Sequence, residues 1–150
     1  MLYEDDIVEA VRDYLQHRGF TVTQCCRSIQ RGDDIIATHP SGLELCIEAK
    51  GETGSRKGSS RYGRVFTRSQ VLVHVGQAFY RAAAMLQQAS AGQLRRVGIA
   101  LPDNEHHRER ITAIEGTLER LGIVVFWVQP DRRVTVWSRP ELPESARDAA

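Results

Sequence analysis

Lysine is nearly absent from this chain of 150 residues, which carries only Lys50 and Lys57 against eighteen arginines. No apolar run approaches the roughly 18 residues that a membrane-spanning helix needs, so we expect no membrane partner. The acidic N-terminus lacks the basic and apolar regions of a signal peptide. The three cysteines form no CxxC pair, which argues against a zinc site, and their odd number without a signal peptide argues against a disulfide framework. We therefore predict a cytoplasmic protein.

The overall composition is that of one ordinary globular domain, with 41% apolar and 26% charged residues. The net charge of +1 gives no sign of a nucleic-acid partner, but positive charge is concentrated in residues 51–69. That segment contains one acid, Glu52, and five basic residues that could contact phosphates: Arg56, Lys57, Arg61, Arg64 and Arg68.

Hydrophobic periodicity and turn residues predict an α/β fold with the element order αβββαβαββ around a mixed sheet. A loop rich in Gly, Ser and Arg, over residues 51–68, separates the third strand from a long helix. The predicted helices are 4–18, 69–90 and 103–121, and the predicted strands are 20–25, 34–38, 43–50, 95–101, 123–128 and 133–137.

The most informative short pattern is Glu48-Ala49-Lys50 at the end of an apolar strand. Residues two apart in a strand face the same way, so Glu48 and Lys50 project together. If residues 39–42 form a hairpin turn, the numbers of paired residues sum to 81 or 82, and Asp34 lies opposite Ile47 or Glu48. Two carboxylates at this spacing can share a divalent cation. A solvated ion pair at a strand end is the alternative interpretation.

These residues resemble a known family. Residues 32–37, Gly-Asp-Asp-Ile-Ile-Ala, followed by residues 47–51, Ile-Glu-Ala-Lys-Gly, are similar to the PD-(D/E)xK nuclease superfamily, in particular Mrr-type restriction endonucleases and archaeal Holliday-junction resolvases. Asp33 stands where the motif name has proline, and it competes with Asp34 as the motif acid. We prefer Asp34 because it directly precedes the apolar Ile35-Ile36 pair.

The resemblance implies a restriction-endonuclease-like domain over residues 1–150. Its αβββαβ core would span about 4–101, with a C-terminal αββ extension to about 138 and a frayed tail over 139–150. It also implies Mg²⁺-dependent cleavage of phosphodiester bonds, with Mn²⁺ as a substitute ion. Asp34 and Glu48 would be metal ligands, and Lys50 would be the catalytic lysine.

The resemblance implies a further acid on the first helix, because many such nucleases carry one there. Glu4 shares the helix face of Ile7, Val8 and Val11, whereas Glu9 lies on the opposite face. We therefore predict Glu4 as an additional catalytic and metal-binding residue. The alternative is an N-terminal acid that only interacts favourably with the helix dipole.

The long helix carries a polar stripe at helical spacing: Gln70, His74, Gln77 and Arg81. The opposed apolar face is predicted to contain Val71, Leu72, Val75, Ala78, Phe79, Ala82, Met85 and Leu86. Because the family places a glutamine near its metal site, the resemblance implies a catalytic role for Gln77, with Gln70 as second choice. We predict phosphate contacts for His74 and Arg81, with a solvated helix face as the alternative.

Two other features leave alternatives open. The 51–69 loop is predicted to order on nucleic acid, where Tyr62 and Phe66 could stack on bases or instead cover the core. His106 and His107 lack the spacing of a helical metal pair and are predicted to lie on the surface.

The sequence thus predicts a Mg²⁺-dependent nuclease, an endonuclease acting on DNA, with RNA and a homodimer left open. One alternative is a catalytically inactive nucleic-acid-binding module of the same fold. Another is a structural or interaction protein with an accidental motif, in which Asp34 and Glu48 would lie apart.

Overall fold

The computed structural model describes residues 1–26, 32–54 and 57–145, and within them the chain forms four helices and six strands. The predicted α/β class is confirmed. In chain order the elements are α1 (Glu4–His17), β1 (Thr21–Cys25), β2 (Ile35–Thr38), β3 (Glu44–Ala49), α2 (Arg68–Gln87), β4 (Arg95–Pro102), α3 (Glu105–Thr112), α4 (Glu115–Leu121), β5 (Val124–Val128) and β6 (Val134–Trp137).

The strands form one mixed sheet in the order β1-β2-β3-β4-β5-β6. The outer parts of the sheet are antiparallel, β1-β2-β3 on one side and β5-β6 on the other, while β3, β4 and β5 run parallel. Parallel neighbours need a crossover, and α2 supplies the one from β3 to β4. The carboxyl ends of the central strands therefore open together at one edge, where ligands commonly bind in open α/β sheets.

Helices cover the two faces of the sheet, and strand alternation assigns each side chain to one face. Helix α1 packs its buried residues against Ile35, Leu45 and Ile47 in one apolar cluster. Helix α2 packs against Cys46 and Ile99 in a second cluster on the opposite face. Glu48 has the parity of Cys46, so its side chain lies on the α2 face. None of the helices in the described ranges is long and apolar enough to cross a membrane.

The prediction for helix α2 is largely confirmed. Its five buried residues all belong to the predicted apolar face: Val71, Val75, Ala78, Ala82 and Met85. Phe79 and Leu86 pack partly buried against the same cluster, but Leu72 is exposed, contrary to expectation. Helix α2 begins at Arg68 because the hydroxyl of the preceding Thr67 accepts the Gln70 N–H and caps the helix.

The single helix predicted over residues 103–121 is wrong, since two helices, α3 and α4, occupy this range. The helical geometry stops near Ile114, whose φ of −123° lies outside the α region. Three β-branched residues, Ile111, Thr112 and Ile114, lower helix propensity here. The break lets Ile111 and Leu118 both enter the core, with Ile114 packed beside them.

Two segments that we expected to lack structure make defined contacts. The first is the loop after β3. Here the Phe66 N–H donates to the Glu52 carbonyl at 2.8 Å, and the Glu52 N–H donates to the Leu2 carbonyl at 3.0 Å. The second segment is the tail that was predicted to be frayed, of which residues 139–145 are described. Leu142 lies in the α1-side core, and the Pro140 carbonyl accepts a hydrogen bond from Arg96.

Candidate active site

The β2–β3 hairpin brings Asp34 to the end of β3. Ile35 pairs with Ile47 and Ile36 with Cys46, so the residue numbers sum to 82, as the hairpin arithmetic predicts. Continued by one residue, this register sets Asp34 opposite Glu48. The backbone N–H of Ala49 donates to Asp34 Oδ2 at 2.7 Å, which fixes the carboxyl at the strand end.

Glu48 and Lys50 form a shielded ion pair on the α2 face of β3. Lys50 Nζ lies 2.6 Å from Glu48 Oε1, and the two side chains are only 15% and 8% exposed. A solvated surface pair would expose both groups, so this alternative does not describe the observed geometry. Burial of an ion pair is costly unless it is well satisfied, which makes this position unusual for a purely structural pair.

Gly51 brings α1 against the end of β3. A Cβ atom at this position would lie 2.6 Å from the backbone nitrogen of Glu4, a distance that real contacts essentially never show. Only glycine therefore allows the first turn of α1 to approach the Glu48–Lys50 strand so closely. The structure thus brings Glu4 to the site, while Glu9 pairs instead with Arg132.

Burial, together with neighbouring carboxylates, raises the pKa values of Asp34 and Glu4. Burial, followed by the charges of Glu48 and Glu4, raises the pKa of Asp34 to about 7, although the Ala49 N–H partly opposes the shift. Burial also raises the pKa of Glu4, against the attraction of Lys50. For Lys50, burial lowers the pKa, but the hydrogen bond and charge of Glu48 outweigh it, and the net shift is upward. The site therefore concentrates negative charge around one ammonium group.

Arg81 of helix α2 pairs with both Asp33, which precedes β2, and Glu48 of β3, a connection that sequence reasoning did not find. Its guanidinium lies 3.2 Å from Asp33 Oδ1 and 3.6 Å from Glu48 Oε2. The competing motif acid, Asp33, is therefore engaged by an arginine, while Asp34 faces the strand end. Arg81 and Asp33 are 48 residues apart, so no local pattern signals their contact.

An open cleft of about 570 Å³ lies between the end of β3 and the outer face of α2. Gln77 lines it together with Glu48, Lys50 and Arg81, so the first-choice glutamine reaches the site. Gln70, the second choice, instead accepts the Thr67 N–H at 2.8 Å and completes the cap of α2. The cleft is also lined by Val73, Gly76 and Tyr80.

His74 lies beside the site. One face of its ring is covered by Phe66, on which it stacks with ring centroids 4.3 Å apart. Burial, then the charges of Lys50 and Arg61, lowers the pKa of His74. Phe66 is buried and covers the core, whereas Tyr62 is partly exposed and contacts Tyr3.

The predicted phosphate-binding residues divide into groups. Lys57, Arg61 and Arg64 are exposed. Arg68, in contrast, forms an ion pair with Glu109 of α3. Arg56 lies outside the described residues.

Across the described residues, no three His, Cys, Asp or Glu side chains come together as a ready metal-binding group. A preformed cage of Asp34, Glu48 and Glu4 is thus not found. Both Glu48 oxygens face cations of the protein, Lys50 on one side and Arg81 on the other.

No family model, curated protein or solved structure matches this chain. The resemblance to the PD-(D/E)xK superfamily accordingly depends on the motif residues and on the arrangement described above.

His107 is the clearest error of sequence reasoning. We expected a surface residue, but the side chain is fully buried at the start of α3. The signal that could have revealed this burial is the cap residue Asn104. Its side-chain oxygen Oδ1 accepts from the backbone and ring nitrogens of His107.

Proposed function

We propose that this protein is a metal-dependent nuclease that hydrolyses phosphodiester bonds in DNA, with the restriction-endonuclease-like fold that its αβββαβ element order suggests. The observation that carries the proposal is the meeting of Asp34, Glu48 and Lys50 at the end of β3. An accidental motif predicts that Asp34 and Glu48 lie apart, and the β2–β3 register argues against that alternative.

The donor set fits Mg²⁺, with Mn²⁺ as a substitute. Mg²⁺ is usually bound through one or two carboxylates and keeps several waters, so a closed cage of three protein ligands is not required. Burial and the neighbouring carboxylates raise the pKa values of Asp34 and Glu4, which is consistent with a place for a cation beside them. Asp34 and Glu48 would hold the ion, with Glu4 as an additional ligand or a partner of its waters.

Such an ion lowers the pKa of bound water and offsets charge on a phosphoryl oxygen. The protein's own groups then have separable tasks. Lys50, which donates to Glu48 here, can donate to a phosphoryl oxygen or orient the attacking water. Arg81 holds Glu48 from the other side, and Gln77 in the cleft can position the water or the phosphate.

The open cleft suits a polymeric substrate. The segment after β3, the strand that carries the site, contains the exposed Lys57, Arg61 and Arg64. These cations can contact the flanking phosphates. Cleavage of both strands of duplex DNA by so small a domain would call for a homodimer, which measurement of the stoichiometry on duplex DNA tests.

The test is incubation with supercoiled, linear, single-stranded and branched DNA, and with RNA, in Mg²⁺ or Mn²⁺ and in EDTA. We expect metal-dependent cleavage of at least one DNA, lost in Glu48→Gln. Binding of DNA without cleavage by the wild-type protein would instead support the inactive binding module. Uncut substrates without binding would reject both candidates.

A further inference from the structure

The outer face of helix α2 carries large apolar side chains that the fold leaves in solvent. Tyr80 is 74% exposed, more than any other large hydrophobic residue in the described ranges, and Val73 and Leu72 are 57% and 53% exposed. Val73 and Tyr80 line the open cleft beside the candidate active site, whereas Leu72 does not. The cleft therefore has an apolar rim that the packing of the chain does not explain.

Helical geometry orders the side chains along the wall of the cleft. Successive residues turn by about 100° around the helix axis, so Tyr80 lies only about 20° from Val73. Gln77 and Arg81 lie on the other side, about 40° and about 80° from Val73, towards the buried face. Arg81 also reaches Glu48 Oε2 at 3.6 Å. The charged groups therefore lie at the inner end of the wall, and Val73 and Tyr80 form its outer rim.

Gly76 lies in the middle of α2, between Val73 and Tyr80, where neither backbone conformation nor packing requires glycine. It is not one of the described glycines with a positive φ, and a Cβ atom at this position would meet nothing within 4 Å. Glycine is unfavourable inside a helix, and one of its recurrent uses is to let a backbone approach a ligand closely. Because Gly76 lines the cleft, its missing side chain leaves space for a flat ring against the helix.

The chemistry of the cleft favours a nucleic-acid strand as its occupant. Lys50 and Arg81 line the inner end and can attract a phosphate, while Tyr80 offers an exposed ring on which a base can stack. The volume of about 570 Å³ suits one nucleotide, since single bound small molecules occupy roughly 300–1,000 Å³. A second copy of the chain docked here would instead take the charged groups of the cleft out of water, which is costly.

We propose that Tyr80 stacks on an unpaired base of the substrate strand, next to the phosphodiester that the active site would hold. The substrate class is then DNA that is single-stranded where it is cut, or locally unpaired, as negative supercoiling allows. Paired bases inside a duplex stack on one another and do not offer their faces to the protein. Every base has an aromatic face, so the contact carries little sequence preference. This inference rests on the proposed function for its substrate.

The test is fluorescence anisotropy in EDTA at low salt, with a labelled oligothymidylate of about twelve nucleotides and an abasic strand of the same length. The two probes carry the same charge and differ only in their bases, so the difference in affinity reports stacking. We expect the wild-type protein to bind oligothymidylate at least about fivefold more tightly than the abasic strand. Equal affinities, or no binding of oligothymidylate, would overturn the proposal.

Substitutions of Tyr80 separate stacking from other effects. Tyr80→Ala should weaken binding of oligothymidylate about tenfold, whereas Tyr80→Phe, which keeps the aromatic face, should stay within about twofold of the wild type. Neither should change the affinity for the abasic strand or for a duplex of the same length. Leu72→Ala is the matched control, because Leu72 is an exposed residue of the same helix that lies outside the cleft. Undiminished binding by folded Tyr80→Ala, or an equal loss of affinity for the duplex, would contradict the assignment.

Gly76→Ala probes the same place by another route. The added methyl group meets no atom of the protein, so the helix should become more stable while the cleft loses space. We expect a higher Tm together with binding of oligothymidylate that is weaker by at least about threefold. A higher Tm with undiminished binding would show that no ring lies against the helix and would count against the proposal.

Light scattering distinguishes the other occupant, a second copy of the chain. If the wild-type protein is a dimer that Tyr80→Ala dissociates, and the affinity for oligothymidylate stays the same, the rim is an interface between copies and the proposal is wrong. The outcome is also separable from that of the nuclease proposal, because the titration needs neither metal nor cleavage. Stacking without cleavage of any DNA would reject only the nuclease function. Metal-dependent cleavage by a protein whose binding does not depend on Tyr80 would reject only the stacking contact.

Discussion

Asp34 is a carboxyl that the fold holds partly buried beside Glu48 and Glu4. With its pKa raised from 3.8 to about 7, it is harder to ionise in the folded protein than in the unfolded chain. At pH 8, where both states are ionised, this difference lowers the free energy of unfolding by up to about 4 kcal/mol.

We therefore expect Asp34→Asn to stabilise the metal-free protein at pH 8, by about 1–4 kcal/mol in urea unfolding. The asparagine carbonyl can still accept the Ala49 N–H, so the backbone contact is retained. Asp33→Asn is the matched control, since it loses the Arg81 ion pair and should not stabilise. A destabilised Asp34→Asn would show that the carboxyl serves the fold and not a function.

The buried His107 also makes the free energy of unfolding depend on pH, but through a pKa that is lowered and not raised. Its pKa is lowered from 6.5 to about 4, so the unfolded chain takes up a proton before the folded protein does. Its contribution to stability is complete above pH 6.5 and is lost as pH falls towards 4. At pH 5 the loss is about 2 kcal/mol.

This loss should appear as a difference between variants in urea unfolding between pH 7.5 and pH 5. Stability of the wild-type protein should fall more steeply than that of His107→Phe, and His17→Phe should follow the wild type. Parallel curves for the wild type and His107→Phe would contradict the buried neutral ring.

At the scale of elements, the docking of α1 depends on Gly51. Gly51→Ala inserts a methyl group 2.6 Å from the Glu4 backbone, which cannot move as a flexible side chain could. We expect destabilisation of about 1–3 kcal/mol, as for other overpacked sites. The folded fraction should also cleave DNA more slowly because Glu4 is displaced.

Gly116→Ala is the control, because a Cβ atom there meets nothing within 4 Å. This helical position should gain about 0.5–1 kcal/mol. If thermal unfolding gave both variants the same small gain, α1 would not be held by the Gly51 contact.

The elements that sequence could predict are those governed by local patterns. The turn over residues 39–42 sets the β2–β3 register, and helical spacing identifies the buried face of α2. The break between α3 and α4 was missed because the β-branched residues lower helix propensity only weakly, and the packing of Ile111 and Leu118 in the core adds to their effect. The close approach of α1 to Gly51 and the Arg81–Asp33 ion pair depend on how distant elements dock, which no local pattern encodes.

For the whole molecule, a net charge of +1 means that affinity for nucleic acid must come from a local patch. We expect DNA binding in EDTA to weaken steeply with salt. Arg64→Ala should reduce the slope of log affinity against log salt by about 1, the loss of one phosphate contact. Arg120→Ala, which removes an exposed charge on α4, should not change it, and equal slopes for the two variants would argue against the patch.

At this scale the sequence predicted the α/β class and the meeting of Asp34 with Glu48, because both follow from strand alternation and one hairpin. It did not predict the partly open cavity of about 210 Å³ that is lined by Glu52, Phe66 and Asn104. That cavity forms where the chain after β3, helix α2 and helix α3 converge, and its polar chemistry depends on the orientation of Asn104 by Glu52.

In the proposed function, Lys50, Asp34 and Glu48 together form a hydrolytic site. The most direct measurement is the initial rate of Mg²⁺-dependent plasmid cleavage by Lys50→Ala, compared with the wild type and with Arg120→Ala, all verified as folded. We expect a rate loss of about 10²–10⁴-fold for Lys50→Ala and none for Arg120→Ala. Cleavage by Lys50→Ala at the wild-type rate would contradict it.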